Sequence, residues 1–340
     1  MTLIKPRALR PGDTIGIVSP SWFGGDSFVP RAKRGIAALE HLGFRVKDGP
    51  HAFNNGGHVS DTAQNRTDDL HAMFADPEVA GILCTIGGNH SNHLLPLLDW
   101  DLISSNPKVF MGSSDITVLT NAIWAQTSLV TFNGPSLLTD WAEYPGISEL
   151  SRFSALQALT RPTPIGDLPA AKEWTDEFLD WETGEDMKRR RVHQAATGWR
   201  WVRQGTATGH LVGGCLESLQ YLRGTPYWPD MRGAILFLET SEDCSGPADA
   251  DALLMDLQNM GVFGEIAGLL VARPYGMSAR DQALFIDIVS ERTGPFPFPV
   301  VANMDFGHTS PQLTMPLGIA AGIDGERRAV TITEAAVRAP

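Results

Sequence analysis

Short, unbroken apolar runs alternate with stretches whose apolar positions recur every three or four residues through roughly the first 160 positions. Thr14-Ile15-Gly16-Ile17-Val18, Val79-Ala80-Gly81-Ile82-Leu83-Cys84-Thr85-Ile86 and Lys108-Val109-Phe110-Met111 have no polar alternation. They read as strands covered on both faces. Between them, a helix is predicted over 31–42, with Ile36, Leu39 and Leu42 on one stripe and Gly43 as its stop. A second is predicted from Asp61, which serves as its cap, with Leu70, Met73 and Phe74 forming the stripe, and a third over 115–125. Strands that alternate with helices in this way build a parallel sheet with helices on both faces.

The pattern breaks after about residue 161. From 172 to 203 the chain is rich in acids, bases and tryptophan, with Trp174, Trp181, Trp199 and Trp201 in a stretch that follows no period. Irregular segments of this length inside a folded protein tend to be functional. Regularity returns at about 205, with strands predicted over 234–238 and 268–272, a helix over 249–260 and a closing strand over 329–333. The expected organisation is a first domain over 1–160, a Trp-rich substrate loop over 161–204, and a second domain over 205–340.

Composition narrows the class. At 340 residues the chain exceeds the size of one ordinary core, which favours two domains. A hydrophobic content of 43% with 19% charged residues is that of a globular protein, and no apolar run reaches the length of about 18 that a spanning helix needs. The first residues meet a Pro-Gly turn with no apolar signal segment, so a cytoplasmic location is expected. Cys84, Cys215 and Cys244 are sparse and odd in number, which suits a reducing compartment and argues against a disulfide framework. A net charge of -12 argues against a nucleic-acid polymer as partner. The local run Lys188-Arg189-Arg190-Arg191 reads as a solvated turn or as a small anion site.

Three places carry candidate chemistry. Gly112-Ser113-Ser114-Asp115 stands where a parallel strand turns into a helix, the position at which such sheets gather ligands. Ser114 there is either a nucleophile or a cap for the helix that follows. Its Gly-x-Ser-x-Ile pattern lacks the second glycine of the α/β-hydrolase elbow. Ile86-Gly87-Gly88-Asn89-His90 ends the preceding strand, and paired glycines let backbone N–H groups approach a ligand. His90 and His93 lack a third ligand at metal-binding spacing, and no metal is expected. Glu239, after the strand over 234–238, is a polar strand end or an orienting acid. His308, in Phe306-Gly307-His308, is a loop residue or a base. A serine nucleophile needs both, and spacing alone does not select these residues.

Taken in order, several motifs resemble the LD-carboxypeptidase family of serine peptidases, in particular its microcin C self-immunity branch. They are Pro11-Gly12-Asp13-Thr14 through Ser21, Arg66-Thr67-Asp68-Asp69-Leu70, Gly87-Gly88-Asn89, Gly112-Ser113-Ser114-Asp115, Leu238-Glu239, Phe306-Gly307-His308 and Met315-Pro316-Leu317-Gly318. The resemblance implies an α/β fold in which an N-terminal flavodoxin-like parallel-sheet domain carries the nucleophile. A C-terminal swivelling β/α domain carries acid and base, with the active site in the interdomain cleft. It further implies a Ser114–Glu239–His308 triad, an oxyanion hole from the backbone N–H groups of Gly88 and Asp115, no cofactor, and a homodimer. Substrate contacts are expected from Gly87, Asn89 and Cys215, and from a tryptophan stacking on a base, Trp181 first and Trp174 next. Cys215 departs from the pattern, since members of the family often have asparagine there. The implied reaction is hydrolysis of an amide bond of an aminoacyl- or peptidyl-nucleotide. The alternatives are release of a terminal D-amino acid from a murein tetrapeptide, and a two-domain small-molecule binder without catalysis.

Overall fold

In a computed structural model that describes residues 2–339, the apolar runs become the strands of two sheets. The first half supplies β1 (Thr14–Val18), β2 (Arg45–Asp48), β3 (Val79–Cys84), β4 (Val109–Gly112) and β5 (Phe132–Asn133). The middle of the chain adds β6 (Gly166–Asp167), β7 (Glu173–Trp174), β8 (Gln194–Ala195) and β9 (Arg200–Arg203). The remainder supplies β10 (Thr206–Cys215), β11 (Ile235–Glu239), β12 (Gly268–Ala272), β13 (Val300–Met304), β14 (Met315–Pro316), β15 (Ala320–Asp324) and β16 (Ala329–Ile332).

The first sheet has the order β14-β5-β4-β3-β1-β2. Its pairings are parallel except at β14, which runs antiparallel to β5 and reaches this sheet from the far end of the chain. Helices Val29–His41, Ala63–Ala75 and Thr117–Thr127 carry the apolar stripes that cover it. Thr62, not Asp61, caps the second of these: its side chain accepts from Asn65 N–H at 3.2 Å, while Asp61 accepts from the Asn54 and Asn65 side chains. Asp61 lies one residue too far from the helix for its oxygen to meet the first free N–H groups.

The second sheet has the order β6-β16-β15-β10-β11-β12-β13-β9, with β10 through β13 parallel and both flanks antiparallel. The Trp-rich stretch is thus more ordered than its lack of period implied. β9 closes one edge of the sheet, and β7 pairs with β8 as a separate hairpin.

Helix Thr117–Thr127, which follows the Ser114 turn, lies where the two halves meet. Val118, Leu119 and Ala122 share one apolar cluster with Val212, Leu216 and Leu219. Cys215 N–H donates to Thr117 Oγ1 at 2.9 Å, and Asn121 Nδ2 donates to Gly213 O at 2.9 Å. A Cβ on Gly214 would stand 2.4 Å from Thr117 Oγ1, so this contact needs a glycine. The helix that follows the Ser114 turn is therefore fastened to the strand beside the one that ends at Glu239.

Candidate active site

Strand β4 is buried along its whole length and ends at Gly112. The chain then turns sharply: Ser114 has φ 59°, in the left-handed region that costs a non-glycine residue roughly 1–2 kcal/mol. A short 3-10 turn, Ser114–Ile116, leads into the helix. No side chain caps either the turn or the helix, so the capping alternative for Ser114 does not hold. Its side chain instead stands on the wall of a cavity of about 510 Å³, together with Gly87, Gly88, Gly307 and His308. Backbone strain of this kind persists where surrounding contacts enforce it, and it recurs at functional sites.

Two contacts define the serine's surroundings. A Cβ on Gly87 would stand 2.5 Å from Ser114 Cβ and 3.0 Å from Asp115 N, so the glycine turn lies directly against the serine turn. The Asp115 carboxylate, wholly buried, accepts from His90 N–H at 2.9 Å and Ser91 N–H at 2.8 Å, and Ser91 Oγ donates to Asp115 O at 2.8 Å. These bonds tie the loop after β3 to the start of the helix and hold the backbone of Gly88 and Asp115 in one place.

Glu239 is the last residue of β11 and is buried; its Oε2 accepts from His308 Nδ1 at 2.6 Å. That bond leaves Nε2 as the free ring nitrogen, with Glu242 Oε2 3.8 Å away. Burial disfavours the charged ring, but the carboxylates of Glu239, Glu242 and Glu217 outweigh it and raise the His308 pKa to about 9. Gly307 has φ 86°, and a Cβ there would lie 2.5 Å from Glu239 Cβ, so the residue before the histidine must be glycine for acid and ring to approach.

Trp181 stands on the wall of the same cavity. The Arg31 guanidinium lies over its ring, 4.0 Å from the centroid, and Phe28 and Phe178 meet it at 5.5 and 5.4 Å. The Arg31 guanidinium therefore covers one face of the indole. Gly87 lines the cavity as well, whereas Trp174, Asn89 and Cys215 lie off its wall. Trp174 is buried in the hairpin beneath Arg273 and does not line the cavity. Asn89 is exposed and also off the cavity wall. Cys215 is buried beside Glu217 and Glu239, and burial first, then those two carboxylates, pushes its thiol pKa well up. In the basic run Lys188, Arg189 and Arg190 are exposed, as a solvated turn requires, while the Arg189 fork holds Glu177 and lowers that carboxyl to about 2, and Arg191 pairs with Glu143 at 2.8 Å.

Several cavity residues were not singled out from the sequence, among them Trp22, Asp140, Glu242, Tyr275 and Gln312. Glu242 had a visible signal, the acidic run that follows Glu239; the others converge only through the fold. Among the described residues, no group of three or more His, Cys, Asp or Glu side chains could hold a metal ion, and no helix is long and apolar enough to cross a membrane.

Comparison with known proteins matches the family model for the LD-carboxypeptidase N-terminal domain over residues 15–134 and that for the C-terminal domain over 208–323. The chain is 29% identical to the microcin C7 self-immunity protein MccF of Escherichia coli, with 96% of this chain and 94% of that protein covered. It is 30% identical to the probable murein peptide carboxypeptidase of Bacillus subtilis over 96% of this chain and 94% of the relative. The solved structure of an MccF-like protein from Bacillus anthracis superposes with a TM-score of 0.89 at 33% identity, over 97% of this chain and 99% of that one. Structures of MccF itself hold adenosine monophosphate, glutamyl sulfamoyl guanosine and aspartyl sulfamoyl adenosine.

Proposed function

Since this chain belongs to the LD-carboxypeptidase family of serine peptidases, in the branch that includes MccF, we propose that it hydrolyses the amide bond of an aminoacyl- or peptidyl-nucleotide, with Ser114 as nucleophile. His308 takes the serine proton through Nε2 and later gives it to the leaving amine, while Glu239 fixes the ring through Nδ1. The backbone N–H groups of Gly88 and Asp115 receive the oxyanion of the tetrahedral intermediate. A site formed from both halves of the chain, at the cleft between them, accommodates the acyl carbonyl and its leaving group together.

The observation that carries the nucleotide reading is Trp181, an indole on the wall of the cavity that also holds Ser114 and His308. Base stacking on such a face is worth roughly 1–3 kcal/mol. The solved MccF complexes with nucleosides and a nucleotide support the same substrate class. The Bacillus subtilis relative supports a second reading, release of the terminal residue from a murein tetrapeptide.

Incubation with alanyl sulfamoyl adenosine and with a murein tetrapeptide, followed by mass spectrometry, separates them. Cleavage of the nucleoside alone is expected, and cleavage of the tetrapeptide alone defeats the nucleotide reading. Ser114→Ala should abolish hydrolysis with an unchanged circular dichroism spectrum; a fully active variant ends the triad assignment.

A further inference from the structure

Asp140 stands on the wall of the cavity and takes no part in the chemistry proposed above. It lies in one π-helical turn, Leu137–Trp141, a form that recurs at functional sites. Leu138 N–H fixes this turn to the end of β3 by donating to Thr85 O at 2.8 Å. Asp140 is 6% exposed, and burial, the largest influence on it, raises its carboxyl pKa. The cation that acts on it, Arg191, pairs with Glu143 instead. Burying a carboxylate without its own ion pair is costly, so its bonding partners show what holds it there.

Those partners are neutral donors from both halves of the chain, gathered on one oxygen. Oδ2 accepts from Thr139 Oγ1 at 2.5 Å, from Ser136 N–H at 3.3 Å and from Gln312 Nε2 at 2.8 Å. Ser136 carries the link onward: its Oγ accepts from Ser113 N–H at 3.2 Å and lies 3.0 Å from Ser113 Oγ. Ser113 immediately precedes the proposed nucleophile, whose backbone is left-handed. Gln312 follows the proposed base, His308, by four residues. The chain Ser113–Ser136–Asp140–Gln312 thus runs from the serine turn to the histidine loop. All four residues are buried, where water does not compete for these bonds.

Two other bonds hold the same loop. Gln312 N–H donates to Ser151 Oγ at 2.8 Å and Thr314 N–H to Ser154 Oγ at 2.9 Å. They fasten it to the helix Glu149–Thr160, whereas the Asp140 chain ends on the residue beside Ser114. The difference matters because serine and histidine come from different halves of the chain. A displacement of about 1 Å between reacting groups costs on the order of 100-fold in rate.

We propose that Asp140 is a positioning residue that sets the spacing between Ser114 and His308, acting through Ser136 and Ser113 on one side and through Gln312 on the other. This rests on the hydrolytic reading above and adds a further residue to that same site. Asp140 acts as a hydrogen-bond acceptor and transfers no proton.

The test labels Ser114 with diisopropyl fluorophosphate, a small probe that needs the serine and its base but little of the substrate-binding wall. Fluoride leaves as phosphorus bonds to Ser114 Oγ, whose proton passes to His308, and intact mass follows the rate. Gln312→Met keeps the side-chain volume but removes the donor, and Ser136→Ala removes the acceptor of the Ser113 bonds. Each should slow labelling at least about tenfold, and the double variant should be no slower than about threefold below the worse single one. Asp140→Asn, whose amide oxygen can take the same three donors, should stay within about threefold of wild type. A wild-type rate in Gln312→Met, losses that multiply in the double variant, or a tenfold loss in Asp140→Asn overturns the proposal. If the wild-type protein is not labelled, the hydrolytic reading fails separately, and hydrogen exchange decides the positioning. Gln312→Met should then speed exchange over 112–116 as well as over 305–312, and an effect confined to 305–312 overturns the link.

Discussion

A histidine whose pKa is raised to about 9 holds its proton through most of the working range, and a protonated ring cannot take one from Ser114. The sign of the resulting pH dependence follows directly. The neutral, competent form grows as pH rises, so kcat/KM for an uncharged amide substrate should climb from pH 6.5 toward a limb near 9. Glu242→Gln removes one of the carboxylates that hold the proton and should move this limb to lower pH. A profile already flat above pH 6.5 contradicts that assignment. Gly87→Ala is a second test at this scale. Its new methyl would occupy space 2.6 Å from Ser114 Oγ and 2.5 Å from Ser114 Cβ, so turnover should fall 100-fold or more and the thermal midpoint should fall as well, as overpacking a buried turn by one methyl costs roughly 1–3 kcal/mol. Stopped-assay kinetics and calorimetry on one preparation read both.

Elements divide the tryptophans that composition alone could only group. Trp181→Ala should raise KM for a nucleoside substrate about tenfold with kcat nearly kept, because the lost contact is with the bound base. Trp174→Ala should leave KM alone and cost roughly 3–5 kcal/mol of stability, as an aromatic side chain deleted from a buried hairpin does. Denaturant titration beside steady-state kinetics separates the two patterns. The same contrast shows what could be read in advance. Strands such as Val109–Gly112 were legible because burial on both faces leaves an unbroken apolar run, and the turn at Ser114 because a strand, a glycine and a helix meet there. The position of Trp174 was not legible, since an aperiodic segment gives no register until a partner strand, here β8, supplies one. Nor was that of Cys215: Gly214 serves the close approach of the strand to helix Thr117–Thr127 and Gly213 its approach to Phe237 of β11, and the cysteine is drawn inward with them. Gln312 and Asp140 are 172 residues apart and meet only when the sheets have formed.

On the scale of the whole molecule, the two sheets depend on each other through β14. Residues 1–160 made alone would lack that strand, leave the edge of β5 unpaired and expose Val118, Leu119 and Ala122 on the helix that faces the second half. Such a fragment should aggregate or bind a hydrophobic dye, and addition of a 161–340 fragment should suppress this. A fragment that stays monomeric and dye-negative by itself would show the halves to be independent.

Strand β14 also sets an order of events during synthesis. On the proposed triad, the ribosome delivers Ser114 early, Glu239 later, and His308 only eight residues before Pro316 closes the first sheet. A nascent chain would then carry the proposed nucleophile for most of translation without the groups proposed to arm it. By the same proposal, hydrolytic competence and completion of the first sheet arrive within a few residues of each other, and a chain that stops before His308 should be inert.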